Sequence, residues 1–103
     1  MRYWNQSDFP GADLKPHLTE DTVEDCMDRC LEKPECNAFT FDSYKRFDPD
    51  RGWCWLKTNA GNYNMNYDGM ISGMKCSYRP DVEPPRPPDN KYPLYDGKLT
   101  LRT

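Results

Sequence analysis

The sequence predicts a small α+β domain stapled by disulfides, and three observations carry that prediction. An amphipathic helix is readable between Thr22 and Pro34, with Cys26 and Cys30 on its apolar face. Strand-like segments follow it, and Cys36 and Cys54 lie in or beside them. Only 36% of the 103 residues are hydrophobic and the mean hydropathy is −1.06. A core that thin is stabilised by crosslinks between helix and sheet, as in small exported domains.

The helix has a start, a face and a stop. Thr22-x-x-Asp25 resembles a capping box, with Glu24 and Asp25 at the positive helix terminus. Val23, Cys26, Met27, Cys30 and Leu31 follow at helical spacing as one apolar stripe. Asp21, Glu24, Asp28, Arg29 and Glu32 fall on the opposite, solvated side, and Pro34 ends the element. Three strands are then expected. Cys36 to Phe41 places Phe39 and Phe41 on one face, Trp53 to Lys57 forms a second strand, and Met70 to Cys76 a third. Ser43 to Gly52 is a polar loop. Asn62 to Tyr67 alternates with period two, and as a strand would set Tyr63, Met65 and Tyr67 opposite three asparagines.

Composition divides the chain near Arg79. Residues 1–79 hold every cysteine and tryptophan and the whole net charge of −3, whereas residues 80–103 hold four charges of each sign. Six of the 14 residues from 80 to 93 are proline, which forbids helix and sheet interior and favours an extended polyproline arm. Tyr95-Asp96-Gly97-Lys98 reads as a turn, and residues 99–102 as a short strand at the end of that arm.

Several functions are excluded by what is missing. Acidic and basic residues are interspersed, with no basic stripe, so nucleic acid is not an expected partner. No run of 18 apolar residues exists to span a membrane. The first six residues form no apolar signal core, so an exported protein would be represented here by a mature chain or an excised piece. The one histidine, His17, has no local partner for acid–base work, and no catalytic residue or cofactor is expected. The cysteine spacing lacks the Cys-x2-Cys knuckles of structural zinc sites, and oxidised cysteines cannot ligate. Asp48-x-Asp50-x-Gly52 resembles the beginning of a calcium loop, but without the later carboxylate it reads as a solvated turn.

Five segments in order carry a family resemblance: Gly11-Ala12-Asp13-Leu14, the helix with Cys26 and Cys30, Pro34 to Phe41, Cys54-Trp55-Leu56-Lys57, and Ile71-Ser72-Gly73-Met74-Lys75. Over roughly residues 9–76 the chain resembles a PAN/apple domain. The resemblance implies one helix cradled by a curved antiparallel sheet, with Cys26 bonded to Cys54 and Cys30 to Cys36. In the chain-entropy account such bridges are worth about 3.6 and about 2.4 kcal/mol. Cys76 resembles the last cysteine of the third bridge found in coagulation-zymogen apple domains, yet no cysteine precedes Cys26. It is left free, paired outside this chain, or bonded to a second subunit.

Function is therefore sought outside the framework. If Phe39, Phe41 and Trp55 fill the core, then Trp4, Trp53, Tyr63 and Tyr67 are in excess of it. Rings stack on the apolar faces of sugars while amides bond hydroxyls, so Tyr63, Asn64, Tyr67 and Trp53 are candidate ligand-binding residues. The plainer role for Tyr63 and Tyr67 is packing on the sheet. Asn5-Gln6-Ser7 is a glycosylation sequon. The expectation is a secreted, non-catalytic interaction module for protein or glycan. Its alternative is a structural subunit of an extracellular fibre or oligomer, joined through residues 80–103 and Cys76.

Overall fold

A computed structural model of the chain describes residues 1–48, 50–60, 63–64, 66–80, 82–84, 94–95 and 97. Among them are strands β1 (Arg2–Asn5) and β2 (Leu18–Glu20), helix α1 (Val23–Glu32), and strands β3 (Ala38–Asp42), β4 (Gly52–Lys57) and β5 (Met70–Met74). The strands form one antiparallel sheet in the order β1-β5-β3-β4-β2, against which α1 packs, so the fold is α+β.

Helix α1 forms as its local signals dictate. The Thr22 hydroxyl accepts the Asp25 amide N–H at 3.2 Å, and Glu24 and Asp25 occupy the first turn. The Lys33 amide closes the last turn on the Cys30 carbonyl at 3.2 Å, and Pro34 follows. Cys26, Met27 and Cys30 are buried, while Val23 and Leu31 pack at the margin of the same cluster. Cys26 is bonded to Cys54 in β4, and Cys30 to Cys36 just ahead of β3. The helix is thus tied to the middle of the sheet and to its own exit.

The sheet has two different faces. Toward α1 point Phe39, Phe41, Cys54 and Leu56, with Tyr3, Leu18 and Ile71 packed around them. Phe39 is paired with Gly73 across β3 and β5, and any side chain at Gly73 would meet the Phe39 ring and the Arg2 carbonyl at 2.5 Å. The outer face is closed over β1, β3 and β5 by the chain running from Gln6 to Leu14. Trp4, Phe9, Ala38, Ala60 and Met74 form a second buried cluster there, with the Trp4 and Phe9 rings 5.8 Å apart. A polar chain fastens it: the Thr40 and Ser72 hydroxyls are 2.7 Å apart, and Ser72 donates to the Ser7 carbonyl at 2.8 Å. Strand β3 is consequently buried on both sides, whereas β4 keeps an alternating pattern.

Four readings of the sequence change. Strands β1 and β2, with four and three residues, are too short to show a period and are held by pairing with β5 and β4. The third expected strand stops at Met74, leaving Cys76 exposed in a turn. The described residues of the 62–67 segment, Tyr63, Asn64, Asn66 and Tyr67, lie in no named strand. Asn64 makes an isolated antiparallel bridge with Asp8, and its side chain accepts the Asn66 amide N–H at 3.0 Å. That local bond competes with a ladder, as asparagine side chains do. Finally, Trp55 does not fill the core; Trp4 and Phe9 do, and Trp55 is half-buried on the outer face. Asn62, Met65, most of the proline-rich stretch and the 99–102 strand lie outside the described residues.

Residues beyond Arg79 return to the module where they are described. Leu94 bridges to Arg2, the Tyr95 amide donates to the Met1 carbonyl at 2.9 Å, and the Tyr95 ring packs on the helix-side cluster. Its hydroxyl donates to Asp28 at 2.9 Å. Loss of water around the ring, then the bond to the Asp28 carboxylate, push the Tyr95 phenol well above its ordinary range.

Candidate functional site

Strand periodicity decides which rings face outward. Because Cys54 points at α1 to meet Cys26, its neighbours Trp53 and Trp55 must emerge on the opposite face. The Gln6–Leu14 segment reaches β4 at its far end, where Asp13 bridges to Lys57, while Trp53 and Trp55 remain half-buried. Two loops converge on these rings. His17, just before β2, stacks on Trp53 with centroids 3.7 Å apart and planes 20° apart. Phe47, from the β3–β4 loop, lies 4.6 Å from Trp53 and 5.9 Å from Trp55, meeting the latter edge-on at 90°. Trp53 and Trp55 are themselves 5.7 Å apart at 61°. The four rings form one strip.

The loop bearing Phe47 is held by a buried carboxylate. Asp42 accepts the amide N–H groups of Tyr44 at 3.1 Å and Arg46 at 2.9 Å, which turns the chain after β3. The Arg46 guanidinium lies 5.1 Å from the Tyr44 ring and 5.4 Å from Tyr67. The Tyr44 hydroxyl donates to Asp68, and that hydrogen bond, then the carboxylate's charge, raises the Tyr44 phenol's pKa.

Two depressions flank the strip. One, of about 300 Å³, lies between the loop at Asp8, Pro10 and Asp13 and the rings of Phe47, Trp55 and Tyr67. The other, of about 490 Å³, is lined by Leu14, Lys15, Pro16, His17, Asp13 and Trp55. Lys57 forms the floor between loop and strand: its ammonium donates to the Gly11 carbonyl at 3.2 Å and to the Asp13 carboxylate, and its side chain is almost wholly buried. A third depression, of about 780 Å³, lies between β2 and the C-terminal end of α1. Five of the charged groups in its lining are paired, Arg29 with Glu20 at 3.1 Å and with Glu32 at 3.6 Å, and Lys33 with Glu35 at 3.6 Å.

The candidate residues are only partly brought together. Trp53 is in the strip, but one of its neighbours stacks on it and a second tilts against it. Tyr67 borders the smaller depression, and Tyr63 and Tyr67 are each 37% exposed. Asn64 is committed through its backbone to Asp8. Asn5 is exposed at the end of the edge strand β1, and Cys76 is exposed and outside both disulfides. Sequence reasoning missed Trp55, Phe47, His17 and Asp13 as neighbours. The alternation around an inward Cys54 was a signal for Trp55; nothing local linked the other three. Among the described residues no group of three or more His, Cys, Asp or Glu side chains is arranged to hold a metal ion. No described helix is long and apolar enough to cross a membrane.

Residues 7–57, from the covering loop through β4, match the family model of the PAN domain, and over that segment the chain is a PAN domain. Such domains are in general non-catalytic interaction modules, and the family and the two bridges are consistent with an extracellular location. No curated protein matches the chain.

Proposed function

We propose that the chain is an extracellular, non-catalytic interaction module that binds protein or carbohydrate through the outer face of its sheet. The observation that supports this best is the strip of His17, Trp53, Phe47 and Trp55, four rings gathered from three separate segments and left at the surface. Core packing does not require them there, since two buried clusters already occupy both sides of β3. Contiguous exposed aromatic surface on a small domain marks a contact site. Export is supported by the two disulfides and by the exposed Asn5 of the sequon, which we assign as a glycosylation position.

In this reading residues 1–79 are the binding module and residues 80–103 an arm whose Leu94 and Tyr95 dock on it. That docking in cis favours the module over the fibre-subunit alternative. Binding of labelled chain to cell surfaces tests the proposal. The double variant Trp53→Ala/Trp55→Ala should lose most of the binding while Tyr63→Ala retains more. Equal binding by the double variant and the unaltered chain would remove the outer face as the contact site. For Cys76, non-reducing electrophoresis that shows only monomer would exclude its use as an intersubunit bridge.

A further inference from the structure

We infer that the two depressions meeting at Trp55 form a single site for an uncharged oligosaccharide, with Trp55 as the stacking ring and Asp13 as the hydroxyl acceptor. This rests on the outer face being the contact surface and assigns the ligand class to it.

The rings of the strip are not equivalent. Trp53 lies between His17, stacked at 3.7 Å, and Phe47, tilted at 4.6 Å, so its faces are spent within the protein. Trp55 meets Trp53 and Phe47 in edge-type contacts and forms a wall of both depressions. Asp13 is the other residue common to both linings. An indole beside a carboxylate matches the two surfaces of a pyranose, an apolar C–H face and a rim of hydroxyl donors. Adjoining depressions that share one wall suit a ligand of at least two similar units.

Charge selects among ligands. The two linings bring together Asp8 and Asp13 against Lys15 and Lys57, and Lys57 is already bound to Asp13 and the Gly11 carbonyl. A sulfated polyanion would need several uncommitted bases, and a basic peptide several uncommitted acids. Neither excess is present, whereas a hydroxylated neutral chain needs neither.

The walls are also set before any ligand arrives. The Leu14 amide donates to Leu56 at 2.7 Å, the Thr58 amide to Ala12 at 3.0 Å, and the Phe9 side chain is fully buried beneath the same loop. Across the groove, Asp42 fixes the turn that carries Phe47. Rigid walls reduce the ordering cost that weakens binding of flexible polar ligands.

The test is an array of neutral di- to tetrasaccharides and sulfated heparin fragments, followed by titration of the best neutral binder against the chain's tryptophan fluorescence. The expected result is binding to at least one neutral oligosaccharide, lowered at least about tenfold by Trp55→Ala and little changed by Tyr63→Ala. Raising NaCl from about 0.1 to about 0.5 M should change it by less than about threefold. Trp55→Phe, which keeps a ring and the fold, should retain part of the affinity and lose most of the fluorescence response. Binding confined to sulfated fragments, or silence of the whole array, would overturn the inference. So would cell-surface binding that Trp55→Ala abolishes but enzymatic removal of surface glycans leaves intact; the contact surface would then stand with a protein as its ligand. Cell-surface binding indifferent to Trp53→Ala/Trp55→Ala would remove both.

Discussion

The helix side and the outer side of the sheet are built from the same strands by opposite means. Toward α1 the contacts are apolar and covalently closed: Phe39, Phe41 and Leu56 pack on Met27 between the Cys26–Cys54 and Cys30–Cys36 bridges. On the outer side the cover is a loop, held by the Ser7–Ser72–Thr40 hydrogen-bond chain and, where it reaches the Lys57 end of β4, by the Lys57–Asp13 contact. A layer secured by crosslinks lets the other face carry rings that the helix-side core does not include. The division of labour runs between two faces of one strand, since Cys54 serves the scaffold and Trp53 and Trp55 the surface.

Breaking the helix side should cost most. Phe39→Ala, which empties a fully buried position, is expected to destabilise the fold by about 3–5 kcal/mol in urea unfolding. Paired replacement of Cys26 and Cys54 by alanine should cost about 3.6 kcal/mol, and that of Cys30 and Cys36 about 2.4. A chain that unfolds at the same urea concentration after reduction would contradict the scaffold role of both bridges. On the outer side, Thr40→Val removes a hydroxyl from the buried chain beside Ser72 and should cost about 1–2 kcal/mol. Trp55→Ala completes the contrast: a stability change below about 1.5 kcal/mol alongside lost binding. A loss as large as that of Phe39→Ala would show that the strip belongs to the core.

The smallest effect separates the arm from both faces. The Tyr95 phenol has a pKa raised above its ordinary value of 10.0, so the folded state holds that proton more tightly than the unfolded chain. Its contribution is complete below pH 10 and is lost as pH rises beyond it. Tyr44, raised by Asp68, acts in the same direction. Stability measured in a Cys76→Ser background, where the free thiol cannot attack the bridges, should therefore fall above about pH 10. Tyr95→Phe should lower stability by about 1 kcal/mol at neutral pH and flatten part of that alkaline fall. An unchanged slope would show that the arm's contact with Asp28 is not maintained in solution.

Local chemistry by itself determined the scaffold. The Thr22 cap, the apolar stripe through Met27 and the stop at Pro34 specify α1, because helix signals act within a few residues. Period-two alternation places Trp53 and Trp55 away from the helix once Cys54 is known to point at it, which corrects the sequence-based expectation of Trp55 in the core. Tertiary structure alone decided the rest. Strands β1 and β2 are too short to declare themselves and exist through their register with β5 and β4. His17, Phe47, Asp13 and Trp55 become neighbours only when the loops around Asp13 and Phe47 fold over β4. Tyr95 joins α1 across 67 positions of sequence. Contacts of that range depend on where the sheet places each loop, and no local pattern encodes the placement.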